Sequence, residues 1–207
     1  MLKVKTLVVG PLATNCYLVT EPETGQGVII DPGAEKEKIL RAVSRNGAKI
    51  SAVVNTHCHF DHTGADILKE ELGVPLLVPR LDLPFLESSL SDQTALLGFG
   101  PAEEAIPQPD KFLKEGDEIK IGKESLLVWH TPGHTPGGIC LVGKDIVFTG
   151  DTLFKKGVGR TDLEGGSDEE LEKSLRRLFT LPDEFIVYPG HGPATLIGDE
   201  KPLINKI

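Results

Sequence analysis

Ten short apolar runs punctuate the chain: LKVKTLVV (2–9), CYLVT (16–20), GVIID (27–31), ISAVVNT (50–56), VPLLVP (74–79), EIKI (118–121), SLLVWH (125–130), GICLVG (138–143), DIVFTG (145–150) and EFIVYP (184–189). They are rich in β-branched residues and bounded by turn residues, which predicts strands. Three longer stretches carry the helical period instead. KEKILRAVSRNG (36–47) starts after Pro32 and Gly33 and closes at Gly47, and GADILKEELG (64–73) closes at Gly73. In SDEELEKSLRRLF (167–179), Ser167 is the expected N-cap, and Asp168, Glu169 and Glu170 place negative charge in the first turn. All three are amphipathic. Hairpin-like neighbours alternate with strand-helix-strand units, so the pattern predicts an α/β protein of mixed sheets with helices outside.

Residues 80–112 break this rhythm with an irregular apolar stretch containing Pro84, Pro101, Pro107 and Pro109. It reads as a helical or loop excursion, and a segment of that length either covers a site or runs over the surface. With 207 residues and no low-complexity linker, one domain spanning 1–207 is expected. The net charge of −9, from 22 basic and 31 acidic residues, argues against a nucleic-acid partner. No window approaches 18 uninterrupted apolar residues, and the start MLKVKTLVVGPLATN lacks an export pattern. A cytoplasmic protein with no membrane partner is therefore expected. Cys16, Cys58 and Cys140 read as free buried thiols in a reducing compartment.

The chemistry concentrates in THCHFDHTG (56–64), where His57, His59, Asp61 and His62 fall within six positions. In extended backbone, residues i and i+2 share a side, so His57 and His59 can address one ion. Asp61 and His62, past a bend, can address another. Three further histidines stand singly: His134 in TPGHTPGG, His191 in YPGHGPA, and His130 just before TPGH. A single loop histidine is ordinarily only solvated. Four metal-capable side chains in a run without apolar periodicity point to a metal site, because imidazole and carboxylate are the ligands of zinc, iron and manganese. Asp151 in FTGDTLF completes the candidates.

In order and spacing, THxHxDH, TPGHT, FTGDTLF and YPGHG, with IIDPG upstream, resemble the metallo-β-lactamase superfamily over nearly the whole chain. The resemblance implies an αβ/βα sandwich of two mixed β-sheets, helices on the outer faces and a site at one edge. It also implies two divalent metal ions, zinc first, with iron or manganese as alternatives. His57, His59 and His134 would hold one ion, Asp61, His62 and His191 the other, and Asp151 would bridge them. Asp31 in IIDPG matches a family position that supports the site from behind; its plain alternative is a turn residue before Pro32. His130 matches no ligand position and reads as structural.

Within the superfamily, GPLATNCYLV and GDTLFKKGVGRTD are similar to the short bacterial form of the glyoxalase II group, the hydroxyacylglutathione hydrolases. That group implies hydrolysis of a small thioester such as a glutathione-derived one. Two cations sharing a water would lower its pKa towards 7 and supply a bridging hydroxide, with Asp61 orienting the water or carrying its proton. Arg160, at the end of KKGVGR, would pair with a substrate carboxylate, or else form an ion pair with Asp162 or Glu164. Full glyoxalase II carries a C-terminal helical segment that helps bind glutathione, and the sequence leads us to expect no such segment here. GRTD also occurs in the persulfide dioxygenases, which use a single iron at positions corresponding to His57, His134 and Asp151.

Overall fold

The computed structural model describes residues 1–86 and 107–205, which form two six-stranded mixed sheets and one small hairpin. The first sheet has the order β1-β2-β3-β4-β5-β6, from β1 (Lys3–Val9), β2 (Thr14–Thr20), β3 (Gln26–Ile30), β4 (Lys49–Val54), β5 (Leu76–Pro79) and β6 (Lys111–Leu113). Its first three strands are antiparallel, and β3 to β6 run parallel. The second has the order β14-β13-β10-β9-β8-β7, from β7 (Glu118–Ile121), β8 (Glu124–His130), β9 (Ile139–Val142), β10 (Ile146–Gly150), β13 (Ile186–Pro189) and β14 (Thr195–Leu196). β11 (Leu153–Phe154) and β12 (Gly157–Val158) pair only with each other.

Side-chain alternation on these strands explains the layering. Val28, Ile30, Ala52, Val54 and Leu77 point to one side of the first sheet and meet Ile119, Ile121, Leu126, Val128, Ile139, Leu141 and Phe148 of the second in the central core. The alternate residues Cys16, Leu18, Ile29, Val53, Leu76 and Val78 point the other way, against Ile39 and Val43 of α1 (Lys36–Asn46) and Leu68 of α3 (Leu68–Leu72). On the opposite outer face, Cys140, Val142, Val147 and Val187 meet Leu171, Leu175 and Leu178 of α4 (Asp168–Leu178). Strands buried on both faces must be apolar throughout, which is why these runs read as continuous rather than alternating. The result is the expected αβ/βα sandwich.

The helix ends follow local chemistry. Ser167 Oγ accepts a hydrogen bond from the Glu170 N–H at 3.3 Å, and three acidic residues in the first turn of α4 complement the helix dipole. Gly47 adopts the left-handed conformation that closes α1. The 64–73 helix is shorter than its pattern suggests, beginning at Leu68. The 80–112 excursion also needs correcting at its ends: 80–82 is a 3-10 turn continuing directly from β5, and Lys111–Leu113 is a strand parallel to β5. Residues 87–106, where the covering role was an open alternative, lie outside the described residues. Among the described residues no helix is long and apolar enough to cross a membrane.

Candidate metal centre

Every candidate ligand lies beyond the C-terminal end of a strand, on a loop or, for Asp61 and His62, on a short helix. β4 ends at Val54, so His57 and His59 lie beyond the strand rather than on it as the alternation argument assumed; His59 nevertheless keeps extended backbone. The chain then turns into α2 (Phe60–Thr63), which carries Asp61 and His62. His134 follows β8, Asp151 directly follows β10, and His191 lies two residues beyond β13. These three strands run in one direction, so their C-terminal ends deliver the three ligands to one edge of the sandwich.

The structure brings all seven together. Donor atoms of His57, His59 and His134 lie within 4.8 Å of one another, and so do those of Asp61, His62 and His191. Asp151 spans the two sets: Oδ1 is 3.4 Å from His62 Nε2, while Oδ2 is 3.6 Å from both His134 Nε2 and His191 Nε2. His59 Nδ1 and His134 Nε2 approach to 2.9 Å, and the Nε2 atoms of His62 and His191 to 3.3 Å. Such convergence of nitrogens on a common point fits a shared cation.

Atoms behind the rings determine which nitrogen faces inward. His134 Nδ1–H donates to the Arg160 carbonyl at 2.7 Å, and His191 Nδ1–H to the Leu12 carbonyl at 3.1 Å. His62 Nδ1 lies 3.1 Å from Asp31 Oδ2. The Thr56 hydroxyl donates to Asp31 Oδ2 at 2.7 Å and so accepts from His57 Nδ1–H at 3.2 Å. In each case Nδ1 is turned to the oxygen behind the ring and Nε2 is the nitrogen that faces the cluster. His57 Nε2 and Asp151 Oδ1 are buried with no hydrogen-bond partner, which is costly unless something else binds there. The orphaned atoms and the nitrogen–carboxylate donor set both fit divalent transition-metal ions.

Asp31 is therefore more than a turn residue. Its φ is +51°, uncommon outside glycine, asparagine and aspartate, and its carboxylate also accepts from the Thr56 N–H at 2.7 Å. One buried carboxylate thus orients His62 and Thr56 together. Arg160 makes its contribution to the cluster through its main-chain carbonyl. Its exposed guanidinium pairs with Asp162, with Nε to Oδ1 at 2.7 Å and Nη2 to Oδ2 at 2.8 Å. His130 Nε2–H donates to the Pro136 carbonyl at 2.9 Å, a structural role. Cys58 is buried in the core behind the ligand loop, where desolvation pushes its thiol pKa well up.

The electrostatics divide the cluster. Burial, then the neighbouring His62, push His57 far below the usual histidine range, and burial, then His134, take His59 down to about 3. Burial also disfavours charge on His62, but Asp61, Asp151 and Asp31 outweigh it and raise His62 to about 10. Burial raises Asp61, yet His62, His191 and the Thr14 hydroxyl, which donates at 3.0 Å, hold it below the carboxylate range. Burial raises Asp151. The site opens on the second set, where His191 is 28% exposed while His62 is fully buried.

Sequence reasoning missed Thr14, which touches Asp61, and Asp82, whose carboxylate reaches both ligand loops. No local signal marks either, since the partners stand far apart in the chain.

Residues 9–191 match the family model of the metallo-beta-lactamase superfamily. The chain is 37% identical to the hydroxyacylglutathione hydrolase GloC of Haemophilus influenzae, over 92% of each. It superposes on the crystal structure of the BLEG-1 B3 metallo-beta-lactamase with TM-score 0.89 and 32% identity, covering 98% of this chain and 99% of that one. For the di-iron-bound form of TTHA1623 the values are 0.86 and 40%, over 95% and 96%. For ETHE1 from Myxococcus xanthus they are 0.77 and 32%, over 96% and 81%.

Proposed function

The chain belongs to the metallo-β-lactamase superfamily and is a metallo-hydrolase of it, and we propose that two divalent cations serve it in cleaving a thioester bond of an S-acylglutathione-like substrate. The observation that carries this is the pair of three-donor sets sharing Asp151. Hydrolysis across two ions uses both sets; a mono-iron persulfide dioxygenase uses only His57, His134 and Asp151. The identity with GloC along nearly the full length supports the thioester.

When bound, divalent cations would supply Lewis acidity and a hydroxide nucleophile near neutral pH. His57, His59 and His134 would hold one, and Asp61, His62 and His191 the other, with the imidazoles of His57, His62, His134 and His191 kept in orientation by the oxygen behind each. Asp61, ionised and fixed by the Thr14 hydroxyl, would orient the attacking water or accept its proton. A departing thiolate, with a solution pKa near 8.5, needs little protonation, so no further general acid is required. Arg160 is the candidate partner for a substrate carboxylate, which would exchange with Asp162 at the exposed guanidinium.

The test is turnover of S-lactoylglutathione by zinc- and iron-loaded protein without oxygen, alongside oxygen uptake with glutathione persulfide and cleavage of a chromogenic β-lactam. Anaerobic thioester hydrolysis is the expected result. Activity confined to iron, persulfide and oxygen, or to the β-lactam, would overturn the reading.

A further inference from the structure

The loops that carry His57, His59 and His134 belong to different sheets, so the first donor set holds its shape only if the two sheets are fixed to each other at this edge. At the roots of the loops a backbone bond does this, the Ile139 N–H donating to the Thr56 carbonyl at 2.9 Å. Nearer the ligands the tie is a side chain. Asp82, fully buried just after β5, accepts from the Cys58 N–H at 3.2 Å, from the Thr135 hydroxyl at 2.7 Å and from the Gly137 N–H at 2.6 Å. Cys58 lies between His57 and His59, and Thr135 is next to His134. Asp82 is thus one carboxylate joined to both ligand loops.

The surroundings leave this contact little freedom. A Cβ at Gly137 would meet the Asp82 carboxylate at 2.5 to 2.7 Å, so the loop's approach depends on that residue having no side chain. Thr135 is fully buried and Cys58 is fixed in the core behind its loop. Three donors on a desolvated carboxylate resist rotation of either loop, because swinging one away would strand a buried acceptor or N–H.

We propose that Asp82 is a positioning residue that sets the spacing of His59 and His57 against His134 and thereby the affinity of the first ion. It acts through the loops and touches neither ion nor substrate. The second set leans on Asp31, Thr14 and the Leu12 carbonyl, whereas the donors to Asp82 are Cys58, Thr135 and Gly137, so the effect is selective. This rests on the reading that His57, His59 and His134 hold an ion, whatever the substrate.

The experiment is a zinc titration against a chromophoric chelator in an Asp61→Ala background, which weakens the second set and isolates the first. Asp82→Asn should lower first-site affinity by about 10- to 100-fold, the range typical for loss of an outer-sphere partner. Thr135→Val, isosteric and removing one of three donors, should shift it in the same direction by less, and it decides the matter if Asp82→Asn fails to fold. With Asp61 intact, the second ion should lose much less affinity than the first. Unchanged first-site affinity in both variants would overturn the proposal, as would equal weakening of both ions together with reduced stability of the metal-free protein. An Asp61→Ala protein that binds no zinc would overturn the metal reading as well; turnover assays do not enter the measurement.

Discussion

Asp151 stands where the two donor sets meet, with one carboxylate oxygen near His62 and the other near His134 and His191. Among the candidate ligands, Asp61 lies beside His62 and His191. If Asp151 neutralises both ions of the proposed pair, its removal should differ from removal of Asp61, which would serve a single ion. We expect Asp151→Ala to lower occupancy of both ions and Asp61→Ala to empty mainly the second, as counted by elemental analysis of purified protein. Two tightly held ions in Asp151→Ala would show that the carboxylate does not bridge. These candidate ligands were visible in the sequence because each carries its own local mark: a dense HxHxDH run, or a lone histidine or aspartate in a glycine-containing turn. Asp82 and Thr14 carry no such mark, since their roles depend on partners brought close only by folding.

At the scale of elements, α4 supports the His134 loop directly. The Ser167 N–H donates to the Gly133 carbonyl at 2.8 Å, and the Ser174 hydroxyl donates to the Pro132 carbonyl at 2.7 Å. Gly133 has φ of +138° and lies so close to Leu171 that a Cβ would collide with the helix backbone. Gly133→Ala therefore combines strained backbone with a clash that displaces the loop from the helix. We expect it to lower stability by at least about 1 kcal/mol in chemical denaturation and to weaken zinc binding at the first set. Ser167→Ala, which removes only the cap hydroxyl, should cost about 1 kcal/mol with zinc affinity nearly unchanged. Similar affinity losses in both would place the coupling in the helix as a whole rather than at Gly133. Strands and caps were legible because periodicity and N-cap chemistry are local. The short strands β6, β11, β12 and β14 were not, for two or three residues give no period and are held by pairing across the fold.

Over the whole molecule, the metal-free cluster carries protons that ions must displace, and this ties stability to pH. His62 is raised to about 10 by Asp61, Asp151 and Asp31 against the cost of burial, and His191 is raised chiefly by Asp61 and Asp151, also against burial. A histidine raised above its unfolded value of about 6.5 contributes stability that is complete below that pH and is lost as pH climbs through the folded value. His57 and His59, lowered by burial and by neighbouring histidines, have the opposite sign and penalise the fold only below about 6.5. Metal-free protein should therefore lose stability between pH 6.5 and about 10. In loaded protein an ion held by Asp61, His62 and His191 would take the place of these protons and remove that dependence. The Tm difference between zinc-loaded and chelator-treated samples should widen steadily from pH 6.5 to 8.5. Calorimetric titration in buffers of different ionisation enthalpy should show at least one proton released with the second ion and fewer with the first, whose histidines His57 and His59 are already neutral. A Tm gap independent of pH, or equal proton release at both steps, would mean that the charge on the Asp61–His62–His191 set is not what an incoming ion replaces.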